Sequence, residues 1–111
     1  MKTEAQIQNE IVKYFHNNYC LKHHNPRCCI FSCPNELAGN NKIATMQAKA
    51  TGLMAGVSDL IVLLPNVALF VEVKNDIGRQ SERQKDFESI VTGLGFKYYL
   101  VRSLEDFKSL I

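Results

Sequence analysis

Two hydrophobic periods alternate along this chain. Near its start, Ile7, Ile11, Tyr14 and Phe15 recur at helical spacing, which predicts a helix from about Thr3 to Asn18 with Thr3 as N-cap. A polar turn through His23, His24, Asn25 and Pro26 leads into Arg27 to Cys33, whose β-branched and aromatic content reads as a strand. Pro34 to Gly56 carries the weakest pattern; Asn40 and Asn41 mark a turn, and Ile43 to Lys49 is a candidate short helix before Gly52. Two apolar runs follow, Leu60 to Leu64 and Val67 to Val71, joined by Pro65-Asn66, and these read as a buried hairpin. A second helix starts near Ser81, with Phe87, Ile90, Val91 and Leu94 as its inward stripe and Gly93 and Gly95 marking its end. Phe96 to Val101 is a last strand. A closing helix from Ser103 turns Leu104, Phe107 and Leu110 inward. The firm elements run α-β-β-β-α-β-α, a mixed α/β fold in which helices flank a mixed sheet.

Composition changes this picture little. The 111 residues fit one domain, 1–111, with 46% apolar and 22% charged residues, as expected of a globular core. No apolar run is long enough to span a membrane, and Met1 to Gln6 does not resemble an export signal, so a cytoplasmic location is expected. A formal charge of +2 is too small to coat nucleic acid, so any phosphate contact must come from local cations. Lys42 and Lys49 make the poorly patterned region locally basic, which fits either a solvated loop or a substrate-contacting one.

Cys20, Cys28, Cys29 and Cys33 crowd into one segment beside His23 and His24. Without an export signal a disulfide framework has no support. Their spacing matches no common paired zinc pattern. Strand alternation places Cys28 opposite Cys29, Phe31 and Cys33, so structural thiols acting as small hydrophobes are the plainer reading, with a zinc-stabilised interaction domain as the alternative.

The hairpin carries the chemistry. A turn centred on Pro65-Asn66 sets Asp59 directly across from Glu72, with Cα atoms about 4.5 to 5.5 Å apart. Lys74, two residues on, shares that face. Two carboxylates about 5 Å apart repel by roughly 3 kcal/mol at an effective dielectric near 20. A hard divalent ion such as Mg²⁺ relieves this, since it takes oxygen ligands and often only one or two carboxylates. The carbonyl of Val73 is a further candidate oxygen, and Lys74 can hold a water or offset phosphate charge. The plain alternative is an internal salt-bridge triad, which rarely stabilises a fold by itself. On the first helix Glu4 lies near the apolar face and Glu10 at its edge, within reach of Lys13 or Tyr14. The helix dipole alone accounts for an acid at Glu4.

Gly56-Val57-Ser58-Asp59-Leu60, Val71-Glu72-Val73-Lys74 and Gly78-Arg79-Gln80-Ser81-Glu82-Arg83-Gln84-Lys85 together resemble the virus-type replication-repair nuclease (VRR-NUC) family, a branch of the PD-(D/E)XK superfamily. The likeness extends to Glu4-Ala5-Gln6-Ile7-Gln8, Gly95 and Ser103-Leu104-Glu105-Asp106, and leaves the cysteine segment unaccounted for. It implies a restriction-endonuclease-like core and a small stand-alone, phage-type Mg²⁺- or Mn²⁺-dependent DNA endonuclease without an organic cofactor. By the same resemblance Asp59 and Glu72 bind metal and Lys74 is catalytic. Glu4 is a further metal or water ligand, and Gln84 lines the site, although Ser81-x-x-Gln84 is also a capping box. Ser58 departs from the proline common in the superfamily; that proline is not a ligand. The resemblance further implies branched DNA, such as a four-way junction, or duplex as substrate, and a homodimer. A catalytically silent DNA-binding module of the same fold is the other outcome it allows.

Overall fold

The computed structural model describes residues 1–34 and 42–111. Its elements are α1 (Glu4–Tyr19), β1 (Cys29–Ser32), α2 (Lys42–Ala50), β2 (Leu60–Leu64), β3 (Val67–Val73), α3 (Glu82–Gly93), β4 (Lys97–Val101) and α4 (Leu104–Lys108). The fold is the expected mixed α/β one. The candidate helix over Ile43–Lys49 forms as α2 and adds an element between β1 and β2, while the turn assigned to Asn40 and Asn41 lies outside the described residues.

Local chemistry sets the helix starts. Thr3 Oγ1 accepts from the Gln6 amide while the Gln6 side chain accepts from the Thr3 amide, satisfying two otherwise unpaired donors. Ser81 and Gln84 repeat this reciprocal cap at α3. Between β2 and β3 the chain reverses at Pro65-Asn66, where Asn66 takes φ 59°, a left-handed conformation that asparagine tolerates.

The four strands lie in the order β1-β2-β3-β4. β1 pairs antiparallel with β2, β2 antiparallel with β3, and β3 parallel with β4. Pairing of Leu60 with Val71 and of Leu64 with Val67 is the register that a turn centred on Pro65-Asn66 requires. The core lies on one sheet face, where Leu60, Val62, Leu69, Val71, Val73 and Val101 meet Ile7, Ile11 and Phe15 of α1 and Phe107 of α4. Phe15 stacks on Tyr19 and meets Phe107 edge-on, tying the two helices together.

Strand alternation sends Ile61, Phe70, Glu72 and Tyr98 to the opposite face, where Phe87 of α3 packs edge-on against Phe70 and Tyr98. The expected inward stripe of α3 is only partly realised. Val91 is buried and Phe87 half-buried, but Ile90 is 45% and Leu94 71% exposed. The helix packs on β4, which takes one side of the stripe, and Leu94 is already the C-cap.

The cysteines divide by face. Cys20 is buried in the core, Cys28 and Cys33 are half-buried and Cys29 is exposed; all four are free thiols. Structural burial therefore describes Cys20 fully and Cys29 not at all. Among the described residues no three His, Cys, Asp or Glu side chains converge as a metal site. No described helix is long and apolar enough to cross a membrane.

Candidate active site

The second sheet face ends in charge. Asp59 stands just before β2, Glu72 is the penultimate residue of β3 and Lys74 lies just beyond its end, and the loop after β3 leads through Gly78 and Gln80 to α3. Backbone pairing extends past β2, because the Cys33 amide donates to the Asp59 carbonyl at 3.0 Å. Asp59 Oδ2 in turn accepts from the Val73 amide at 2.7 Å, so its side chain carries the β2–β3 ladder one step further. The sheet thereby brings Asp59 and Glu72 together at the end of adjacent strands.

Gly56 helps to fix this position. It holds φ +86°, and a Cβ there would lie 2.5 Å from the Arg83 carbonyl oxygen. Only glycine allows the loop carrying Asp59 to approach the first turn of α3 so closely.

Glu72 is fully buried, a costly place for a carboxylate. Its Oε1 accepts from Gln80 Nε2 at 3.0 Å and from the Tyr98 hydroxyl in a short contact. Its Oε2 is buried with no hydrogen-bond partner. Lys74 Nζ lies 3.5 Å from that oxygen, an ion-pair contact without hydrogen-bond geometry, and Lys74 itself is 8% exposed. Burial is the main force raising the Asp59 carboxyl above its ordinary pKa. The Val73 amide opposes it, the Glu72 carboxylate adds to it, Lys74 opposes it and Glu4 adds to it. Burial, then the bond to Glu72, pushes the Tyr98 phenol far up, so it stays a proton donor.

Glu4 approaches from the N-terminus of α1. A Cβ at Gly78 would lie 2.7 Å from Glu4 Oε2 and 3.3 Å from Lys74 Cδ, so the Glu4 carboxylate stands at the loop beside the lysine stem. Glu10 is elsewhere, bonded to Lys2 at 2.5 Å rather than to Lys13 or Tyr14. Gln84 Oε1 accepts from the Ser81 amide as part of the cap of α3. The glutamine that reaches Glu72 is Gln80, four residues earlier. Sequence reasoning missed Gln80 and Tyr98. Tyr98 had a faint signal, a phenol on an apolar strand that needs a buried partner.

This donor set suits a hard cation. Asp59, Glu72 Oε2 with no hydrogen bond of its own, and nearby Glu4 offer oxygen only, the ligand type that Mg²⁺ and Mn²⁺ prefer. Among the described residues no three His, Cys, Asp or Glu side chains converge, and Mg²⁺ often takes only one or two carboxylates with water filling the remaining positions.

A mixed sheet with a D…ExK set at the end of its central hairpin is the arrangement of a PD-(D/E)XK nuclease core. The VRR-NUC domain family matches residues 2–105, and the chain belongs to that family. The family is nuclease-like and implies DNA as the substrate class. A solved structure described as a VRR_NUC domain protein superposes with a TM-score of 0.73 at 18% identity, covering 98% of this chain and 84% of that one. A second, described as a VRR_NUC domain, gives 0.64 at 19% identity, covering 99% of this chain and 95% of the other. At such identities these likenesses establish the fold. No curated protein matches the chain.

Proposed function

We propose that this protein is a metal-dependent DNA endonuclease that cuts branched DNA in the cytoplasm as a homodimer during replication, recombination or repair. The observation that carries the reading is Glu72 Oε2, a fully buried carboxylate oxygen with no hydrogen-bond partner, beside Asp59 and Lys74. A group so placed is costly unless something completes it. Asp59, Glu72 and the Val73 carbonyl hold one Mg²⁺ or Mn²⁺, with Glu4 as a further ligand or water-holder. When bound, such an ion supplies an acidified water and offsets charge on the scissile phosphate.

The chain's own groups do the rest. Lys74 keeps its ammonium near the reacting oxygens, where it donates to the phosphate or orients the attacking water. Low exposure of Glu72 and Lys74 keeps their interaction strong by excluding bulk solvent. Gln84 contributes from outside, capping α3 and so fixing the segment that begins with Gln80. Water adds to phosphorus as the ester oxygen leaves, and that oxygen takes up a proton. Two copies related by a two-fold axis would offer matched sites to two strands, which is why a branched substrate is favoured.

One experiment tests this. Purified protein is incubated with Mg²⁺, Mn²⁺ or EDTA on end-labelled four-way junction, flap, single-stranded and duplex DNA, with its mass followed by light scattering. Metal-dependent cuts strongest on the branched substrates, by a particle of twice the chain mass, are expected. Binding without cleavage under every metal would make the protein a silent DNA-binding module, and preference for plain duplex would remove the structure selectivity.

A further inference from the structure

All the neutral hydrogen bonds to Glu72 fall on one of its two oxygens. Oε1 receives both Tyr98 and Gln80, whereas Oε2 receives none and faces Lys74. The terminal torsion of glutamate is broad and nearly two-fold, so an unheld carboxylate exchanges its oxygens freely. Two donors converging on Oε1 block that exchange.

The donors are themselves fixed by chemistry. Tyr98, nearly buried on β4, has a single hydroxyl hydrogen and gives it to Glu72. Gln80 Nε2 bonds Glu72 Oε1 at 3.0 Å and Glu88 Oε1 at 2.9 Å. Both partners are acceptors, so the amide must present its nitrogen to them, one hydrogen each. Glu88, a turn and a half into α3, therefore holds Gln80 through its second amide hydrogen. A relay, part-buried at Gln80 and Glu88 and buried at Tyr98, runs from α3 to β3 and is closed by β4.

We propose that Tyr98 and Gln80 are positioning residues that pin Glu72 by Oε1 so that Oε2 is the oxygen presented to a divalent ion, with Glu88 orienting Gln80. This rests on the metal-site reading above. Outer-shell donors of this kind change metal affinity by about 10- to 100-fold in known sites. The competing account is that the two donors merely satisfy a buried carboxylate. That account predicts lost stability but unchanged affinity of the folded protein for metal.

The test uses the full chain and Mn²⁺ alone, without DNA. Free Mn²⁺ is titrated by electron paramagnetic resonance at a temperature where circular dichroism shows each variant folded. Tyr98→Phe and Gln80→Met should each weaken Mn²⁺ binding about tenfold, and the double variant should approach 100-fold. Glu88→Leu should weaken it and Glu88→Gln should restore it, since the glutamine oxygen can still accept from Gln80. This last pair keeps the test decisive if the double variant does not fold. Wild-type affinity in Tyr98→Phe, Gln80→Met and Glu88→Leu, with binding lost in Glu72→Gln, would overturn the pinning role and leave the metal site standing. A wild-type protein that binds no Mn²⁺, or a Glu72→Gln variant that binds it equally well, would overturn the site reading and the pinning role together.

Discussion

Lys74 is the residue whose two jobs conflict. Its ammonium lies 3.5 Å from Glu72 Oε2, with both side chains almost wholly out of water. In the proposed reaction it acts on the phosphate; without metal it is the nearest positive charge to a buried carboxylate. Removing one member of a buried pair strands the other, at a cost of roughly 3 kcal/mol or more. Lys74→Ala should therefore do two separable things. Single-turnover cleavage should fall by about 10²- to 10³-fold, the usual cost of removing one electrostatic donor to a transition state. The metal-free melting temperature should also fall, and Mn²⁺ should recover much of the loss, because a ligand that binds only the folded state stabilises it. Melting curves with and without Mn²⁺ beside rate measurements check both halves. Cleavage at the wild-type rate would remove Lys74 from the chemistry.

At the scale of elements, α1 presents two acids and the structure separates them. The capped N-terminus of α1 brings Glu4 beside Gly78 and the Lys74 stem, whereas Glu10, almost two turns on, bonds Lys2 at the surface. Glu4→Gln should slow single-turnover cleavage by about 10²-fold, within the range of positioning and acid–base groups. Glu10→Gln should stay near wild type, since exposed pairs contribute little. Rates compared at saturating Mg²⁺ decide between them, and the reverse ranking would place the catalytic acid on the other side of the helix. Much of this element-level organisation was legible in the chain. Pro65-Asn66 fixed the hairpin register, and with it the pairing that brings Asp59 to Glu72, because turn chemistry and alternation are local rules. Thr3 and Ser81 announced their helix starts for the same reason. Gln80 and Tyr98 were not legible, because they meet Glu72 only once β4 lies parallel beside β3 and α3 crosses back over it. Those contacts depend on strand order, which no short-range pattern encodes. The exposure of Leu94 and Cys29 is not legible in the chain for a related reason: periodicity tells which residues share a face, not how much of that face a neighbour covers.

Across the whole molecule, stability and chemistry occupy opposite faces of one sheet. The α1–α4 side holds the continuous apolar core, while the other side holds the buried charge at its open end. This division predicts that a core lesion should lower stability without altering the chemistry of molecules that remain folded. Phe107 is the sharpest place to ask. It is fully buried in the five-residue helix α4, meets Phe15 edge-on, and through it fastens the closing helix to α1. Truncation to alanine removes a ring from a packed interior and leaves a cavity that so short a helix can only partly close, at a cost of about 3–5 kcal/mol. For a domain of roughly this length, each kcal/mol shifts the melting temperature by about 4–8 °C. Phe107→Ala should therefore melt at least about 10 °C lower, with the first-helix core loosened along with α4. Glu4 is carried at the far end of α1 from Phe15, and Asp59, Glu72 and Lys74 are set by the hairpin, so their geometry should survive. The expected result is a normal single-turnover rate per folded molecule well below the new melting temperature, with Mn²⁺ affinity unchanged. Calorimetric melts, Mn²⁺ titration and cleavage rates corrected for folded fraction measure the three quantities together. A variant that keeps its fold at low temperature yet loses metal affinity or rate would show that the core face reaches the site through α1, and that the two faces are not independent.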